Sequence, residues 1–452
     1  MFFYLDIINN DMKKILLTAI LLIGTMTVWS QNIIHDFNPF RTYNTSDLVF
    51  PIPTSSYIID IIAGRVYAIP RPGSGYAYYS GTVAATVINQ AIAALTNGGD
   101  IYFRNKNYTI TTSIIDGGNS DIRLIFERGA SFTAGDSLNA PVILITNEDR
   151  WIIDGIEVDG NSTMQRTPLL SGGVYPDGIW FSTSDNCLVT NAYIHHVRRF
   201  GANFDESSLA SGIQNSLVTL CGWNGVNLGN HNTDLNLFAI NNDISHCSDV
   251  GTALYGIGCK VINNTYHDMD GTTGYNGSQD RYGITIEGGG RNIIEGNKFY
   301  NLNGGIGALG GFHENIINGN YFYDWDAAQD YRGAIWLYSN NSNIITSNVF
   351  YTTRTFGNAI KLEGSSNNNI SNNRFTCPVP IYMPTNSDNN LITTNWFQSN
   401  SRAIVIDNSN CNNNRIIEND FDASTDDMDD SGTGTIYGNN IWYDGTYDAT
   451  IP

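Results

Sequence analysis

The sequence predicts an all-β solenoid of short stacked strands with one short helix at its entrance. Three observations carry this. A phrase Asn-Ile-Ile-x-x-Asn-x-aromatic recurs as NIIEGNKF (292–299), NIINGNYF (315–322), NIITSNVF (343–350), NLITTNWF (390–397) and, in a variant form, RIIENDF (415–421). Its second asparagine falls at 215, 242, 264, 297, 320, 348, 373, 395 and 419, at intervals of 27, 22, 33, 23, 28, 25, 22 and 24. Between these phrases, short apolar runs alternate in and out behind a glycine. A period near 23 with two-residue alternation is one unit stacked on itself, not a string of domains.

The composition agrees. The 452 residues suggest about three domains by length alone, but a solenoid escapes that prior. Hydrophobic residues at 41% exclude global disorder, and charged residues at 15% exclude a coiled coil. There are 57 asparagines. An amide at one place in every coil can bond the next coil's backbone and continue as a ladder, so these asparagines read as structural. The net charge of −20, from 43 acidic and 23 basic residues, excludes a nucleic-acid partner, which needs a basic face. Neutral glycans remain open, and anionic ones wherever basic groups cluster.

Taken in order, Met12-Lys13-Lys14 opens a basic segment, 15–28 is apolar, and Val28-Trp29-Ser30 supplies a cleavage site before Gln31. Residues 1–30 therefore read as an over-called start plus a signal peptide, and the chain as secreted, extracellular or periplasmic. No later run is long enough to span a membrane, and no cysteine follows the apolar stretch to carry a lipid. Residues 31–75 are an N-terminal segment. TVAATVINQAIAALTNGGDIYF (82–103) is an amphipathic helix with Val87, Ile88, Ala91, Ile92 and Leu95 on one face, stopped by Gly98-Gly99 and followed by a strand. The repeat domain is placed at 76–425 and a C-terminal tail at 426–452. The six cysteines show no metal spacing and read as buried thiols, with a single bridge, Cys221–Cys247, as the alternative.

The helix-GG-strand-NYTI entrance and the asparagine-marked coils resemble the right-handed parallel β-helix of the pectin-lyase-like superfamily. The resemblance covers about 76–425. It implies fold rather than activity, because this architecture hosts lyases, hydrolases, epimerases and inert binders. No catalytic motif of a single such family transfers.

Alternation then sorts the side chains. GIWFS (178–182) points Trp180 and Ser182 outward, GANFD (201–205) Asn203 and Asp205, and GVNLG (225–229) Asn227. GTALY (251–255) exposes Tyr255, and GITIE (283–287) exposes Thr285 and Glu287. GAIWLY (333–338) exposes Trp336 and Tyr338, NAIKLE (358–363) Lys361 and Glu363, PIYMP (380–384) Tyr382, and AIVID (403–407) Asp407. Aromatic faces beside carboxylates suit sugar rings, whose C–H faces stack while their hydroxyls bond the acids.

Two long intervals insert 267–282 and 323–332 at the same strand position, and each ends in an acid and a base: Asp280-Arg281, and Asp330 with Arg332. Insertions on one edge of a solenoid build a binding face. Coils stack about 4.8 Å apart, so Asp205 and Glu287, three coils apart, are about 14 Å apart, too far for a carboxylate dyad. The expected catalytic set is therefore Glu287 with Asp280, Arg281 and Asp330. Asp205, Tyr255, Arg332, Trp336, Tyr338, Lys361 and Tyr382 are the expected substrate contacts.

The resulting expectation is a monomeric enzyme on a polysaccharide substrate, with hydrolysis favoured. A lyase or epimerase of a uronate polymer, using Arg281, Arg332 and Lys361 as neutralising cations and Tyr255 or His246 as base, is the alternative. A non-catalytic glycan-binding or surface-structural solenoid is the reading from another class. His195, His196, Arg198 and Arg199 form a polar coil edge near Asp205, and His313 lies in a glycine-rich turn. No metal site or cofactor is required. The acidic run STDDMDD (424–430) could hold Ca²⁺ but lacks the ordered loop spacing, and reads as a solvated turn.

Overall fold

The computed structural model describes residues 56–165, 175–230, 233–269, 281–311, 313–325, 333–354, 357–398, 402–422 and 426–442. The expected signal peptide lies outside them. Each coil contributes strands to three long sheets, here sheets A, B and C, of 17, 14 and 13 strands among the described residues. One coil shows the plan: Ile293–Glu295 in sheet A, Lys298–Tyr300 in sheet B and Gly304–Leu309 in sheet C. Each pairs in parallel register with the coil after it, as Ile294 with Ile317, Phe299 with Phe322 and Ile306 with Ile335.

The strands of sheets A and B are mostly three residues long, so only the central side chain points inward. Ile294 and Phe299 are buried in this way, with Ile306 from sheet C. Repetition turns the interior into columns. Tyr266, Phe299, Phe322, Phe350, Phe375, Phe397 and Phe421 stack with ring centroids 4.7–5.2 Å apart. That is the spacing of paired strands, so each ring lies flat on the next.

The turn from sheet A to sheet B is a left-handed residue followed by a buried asparagine. In one coil these are Gly296, at φ 66°, and Asn297. The Asn297 amide donates to the Val261 carbonyl at 2.8 Å and to Asn320 Oδ1 at 3.0 Å. The Asn297 backbone N–H donates to the same Oδ1 at 2.9 Å. The ladder runs on through Asn348, Asn373, Asn395 and Asn419 to Asn440. One expected member is displaced. Asn215, at φ 51°, is the left-handed residue, and Ser216 holds the ladder position, its N–H donating to Asn242 Oδ1 at 3.0 Å. The first asparagine of the repeated phrase forms a second ladder at the corner between sheets C and A, through Asn292, Asn315, Asn343, Asn368, Asn390 and Asn414.

Asn320 uses both ends of its amide, donating to the Ile294 carbonyl at 2.9 Å and to Asn348 Oδ1 at 3.0 Å while accepting from Asn297. Asn320→Ala should therefore cost about 1–3 kcal/mol, read as a lower urea midpoint with an unchanged slope. A change near zero would mean that the ladder is not under load at this coil.

The entrance helix spans Ala84–Ala93 and buries Val87, Ile88, Ala91 and Ile92, with Leu95 buried just beyond it. Gly98, at φ 76°, ends the segment; a Cβ there would lie 2.7 Å from the Asp121 carbonyl oxygen. The strand Gly99–Phe103 follows, as expected. Within the 31–75 segment, Tyr57–Ile62 and Arg65–Pro70 form an antiparallel hairpin, and the first of these strands pairs in parallel with Gly99–Phe103.

At the other end, Asp426–Asp430 pairs with Arg402–Ile406 in sheet C. The acidic run expected to be a turn is thus a strand, and Asp429 meets Arg402 at 2.6 Å. Alternation explains the misreading, since Met428 packs against the core while Asp429 next to it faces out toward Arg402. All six cysteines are buried and none is in a disulfide. The alternative bridge Cys221–Cys247 is not formed. The two thiols are hydrogen-bonded neighbours, and that contact together with burial holds Cys221 well above the ordinary thiol range.

Candidate functional site

The outward side of sheet C carries the expected functional residues in two columns. Strand register aligns Trp180, Asn203, Asn227, Ala253, Thr285, Gly307, Trp336, Lys361 and Tyr382 in the first. Two residues further along each strand stand Ser182, Asp205, Tyr255, Glu287, Tyr338 and Glu363. Their direction agrees with the alternation, but their exposure does not. Asn203, Asp205, Asn227, Thr285 and Lys361 point out of the coil and are nevertheless buried. Alternation sets the side a residue faces, whereas long neighbours in the same columns decide whether it is covered.

At the N-terminal end of this face Asp177 and Arg199 form a buried ion pair. Arg199 Nε donates to Asp177 Oδ1 at 2.6 Å, and Nη2 donates to Oδ2. The guanidinium is packed against the rings of Tyr175 and Phe200, at 3.8 Å and 4.2 Å from their centroids. Asn203 Nδ2 bridges Asp177 Oδ2 at 3.3 Å and Asp205 Oδ2 at 3.0 Å, so those two oxygens lie within about 6.3 Å of each other. Trp180 Nε1 donates to Asp205 Oδ1 at 2.6 Å.

Burial, with a smaller contribution from the Asp177 charge, pushes the Asp205 carboxyl up to about 7, against the opposing hydrogen bonds from Trp180 and Asn203. Beside it, Asn227 donates to Asn203 Oδ1 at 2.9 Å and to the Gly229 carbonyl at 2.8 Å. The Asn227 Oδ1 is buried and accepts no hydrogen bond.

Three coils on, Tyr255 donates its hydroxyl proton to Glu287 Oε2, and Thr285 donates to Oε1 at 2.8 Å. Burial first, and the adjacent Glu287 second, raise the Tyr255 phenol above its usual range, so it stays protonated. Tyr282 packs with Val250 and Ala253, and Tyr255 and Trp336 rest against them. Further along, Lys361 pairs with Glu363 at 2.8 Å, and Trp336 Nε1 donates to the same carboxylate at 3.1 Å. The Trp336 and Tyr338 rings are 6.0 Å apart. The Tyr382 hydroxyl donates to Asp407 at 3.2 Å. Trp336 and Tyr382 are two coils apart with Lys361 between them, rather than on successive coils.

Of the loop residues expected in the site, Arg281 is described; it is half-buried at φ 51°. Asp280, Asp330 and Arg332 lie outside the described residues. The polar edge 195–199 divides: Arg199 joins the Asp205 group, whereas His195 ends a strand of sheet B and His196 follows it. Asp177 was not anticipated. Its one sequence signal is its place directly before the glycine that opens the outward strand GIWFS.

Two family models match the chain: Periplasmic copper-binding protein (NosD) over residues 142–325, and Right handed beta helix region over 237–421. No curated protein matches at a significant level. Among solved structures, the chain is similar to the A-module of the mannuronan C-5 epimerase AlgE6 of Azotobacter vinelandii. The identity is 14%, over 78% of this chain and 95% of that one, with a TM-score of 0.53. It is also similar to the catalytic unit of a GH87 α-1,3-glucanase from Streptomyces thermodiastaticus, at 15% identity over 81% and 68% with a TM-score of 0.55. A third is the DFA-IIIase of Arthrobacter chlorophenolicus, at 14% identity over 69% and 92% with a TM-score of 0.51. Such identities speak to fold. Coil geometry and these matches agree that the chain folds as a right-handed parallel β-helix.

Proposed function

We propose that the chain is an exported enzyme acting on a polysaccharide, a glycoside hydrolase whose general acid is Asp205. One observation carries the reading: a carboxyl on the outward face of sheet C, buried among Trp180, Asn203 and Asp177, is held near neutral pH. A carboxyl that keeps its proton at pH 7 can give it to a glycosidic oxygen as the C–O bond breaks. Asn227 Oδ1, buried one coil away, offers an acceptor for a sugar hydroxyl.

Glu287 accepts hydrogen bonds at both oxygens and sits about 14 Å from Asp205, beyond the roughly 9.5 Å that an inverting pair spans. It is therefore assigned to substrate binding with Tyr255, and the second catalytic carboxyl to the neighbourhood of Asp205. Hydrolysis is favoured over elimination because Arg199, Lys361 and Arg402 already face carboxylates of the protein. A lyase or epimerase needs such cations for the uronate. The basic and apolar run at 12–30 supports export. An epimerase and a glucanase share this fold, which agrees with a polysaccharide-acting role and does not choose between reactions.

The test is a panel of neutral and uronate polysaccharides, read by new reducing ends and by the ultraviolet absorbance of unsaturated uronates. Reducing ends without that absorbance are expected. Absorbance would make the enzyme a lyase, and binding without either signal would leave an epimerase, read by a changed uronate composition of the polymer, or a glycan-binding solenoid. On the substrate so found, Trp336→Ala should raise KM about tenfold with kcat little changed, as removal of a stacking platform requires. An unchanged KM would remove Trp336 from the binding face.

A further inference from the structure

The outward side of sheet B carries an aromatic face that the chemistry proposed for sheet C does not use. Five successive strands build it: Lys298–Tyr300, Tyr321–Tyr323, Val349–Tyr351, Arg374–Thr376 and Trp396–Gln398. Each turns one phenylalanine into the core and two side chains outward. Register sets Tyr300, Tyr323 and Tyr351 in one outward column, and Lys298, Tyr321, Arg374 and Trp396 in the other. The four tyrosines are each 36–42% exposed. With strands about 4.8 Å apart, the face runs about 19 Å along the solenoid.

Its charge runs against that of the chain. The net charge is −20, yet no outward side chain on these five strands is acidic, and Lys298 and Arg374 are basic. Neither forms an ion pair among the described residues, whereas Arg199, Lys361 and Arg402 face carboxylates of the protein. The Arg374 guanidinium lies 4.4 Å from the Trp396 ring centroid. That stacking uses the flat side of the guanidinium and leaves its N–H groups for a ligand. Tyr323 stacks on Tyr351 at 5.6 Å, and Tyr300 on His267 at 4.9 Å, so these rings are held in place before anything binds. Acids mark the borders. Asp324, at the corner after Tyr323, accepts from Thr352 Oγ1 and the Thr353 N–H at 3.2 Å each. Asp243 and Asp268 hold His267 at one end, and Asp420 follows Trp396 in register at the other.

We propose that this face of sheet B is a second, non-catalytic site that holds an acidic polysaccharide, a polymer of uronate residues, without cleaving it. A uronate carboxylate pairs with the N–H edge of Arg374 in bidentate fashion, and a second one meets Lys298 as a point charge. The two cations are three coils apart, or about 14 Å. Between them the tyrosines take sugar C–H faces and hydroxyls. A linear polymer suits a face that presents like groups coil after coil, because modest contacts add along its length. The aliphatic side chains that a protein partner would bury lie elsewhere, with Ile293, Ile316 and Ile344 aligned on sheet A. No outward carboxyl on these strands can give or take a proton, so the polymer is held and not cut. The site goes beyond the reaction assigned to Asp205: it would keep the chain on an acidic matrix while sheet C works on the polymer it cleaves.

The experiment runs the full chain by affinity electrophoresis through gels containing polygalacturonate, alginate or dextran. Retardation by both polyuronates and not by dextran is expected, weakening as salt is raised. Arg374→Ala should lower polyuronate affinity about tenfold, as loss of a charged hydrogen-bonding partner requires. Lys298→Gln, in a side chain with no ion pair of its own to lose, should lower it about threefold. Both variants should keep the wild-type melting temperature and the wild-type kcat/KM on a short soluble substrate of sheet C. Asp205→Asn should be retained as the wild type is, whatever its activity, which keeps this face apart from the reaction. Retention that survives Arg374→Ala combined with Lys298→Gln and is lost in Trp336→Ala would put the polymer on sheet C and overturn the site. So would equal retardation by dextran, or none by either polyuronate.

Discussion

Asp205→Asn should lower turnover on the identified polysaccharide by about 10²–10⁴-fold, the range for a positioned proton donor. In the wild type, kcat/KM should fall on the alkaline side through about 7, because there the buried carboxyl loses the proton it must give. The same substitution has a signature in stability. Below the ordinary carboxylate range, folded and unfolded chains both hold this proton. Between about 4 and 7 the folded chain keeps it and the unfolded chain does not, so this group's contribution to stability falls as pH rises. The whole window is worth roughly 4 kcal/mol as an upper bound. The melting temperature of Asp205→Asn minus that of wild type should accordingly climb from pH 5 to about 7 and then level. A difference that is flat with pH would show that Asp205 titrates like an ordinary surface acid, and the proposed acid would have to be sought elsewhere.

Asp177→Asn should be the most destabilising single change on this face, at about 3–5 kcal/mol, because it leaves the Arg199 cation buried without its counter-charge. It also weakens the hydrogen bond that Asp177 accepts from the Phe200 N–H at 3.2 Å. Asp177→Asn combined with Arg199→Met should recover much of the loss, since no uncompensated charge then remains. A second effect travels with the first. Removing the Asp177 charge removes one of the influences that raise Asp205, so the alkaline limb of the activity profile should move to lower pH. A stability loss under about 1 kcal/mol would mark the pair as solvated.

How much of this could be read from the chain varies with how local the cause is. The ladders were legible because one residue type recurs at one place in every coil. Their reading slipped by one residue only where Ser216 replaces the amide beside Asn215. The facing of Asp205, Glu287 and Trp336 was legible because a strand alternates whatever surrounds it. The burial of Asp205 was not, since it depends on the Trp180 indole reaching across from the coil before. The Asp177–Arg199 pair was illegible for a related reason: the partners are 22 residues apart at a coil corner, and only the Arg199 segment stood out, as a polar coil edge. Glu287 drew attention by following a long insertion, but its hydrogen bonds from Tyr255 and Thr285 were not legible, because Tyr255 lies 32 residues away on the neighbouring coil.

The paired asparagine ladders also separate reach from reactivity. From Asn292 onward each coil is fastened to the next by the same two amide links, so neighbouring coils are interchangeable parts. The Asp205 group lies before that stretch, among corners fastened by Ser184, Ser208, Ser211 and Ser216. Gain or loss of whole coils in the asparagine-fastened half would lengthen or shorten the track along a polymer while the surroundings of Asp205 stayed as they are. In such a molecule substrate length is a matter of counting, and the reaction is not.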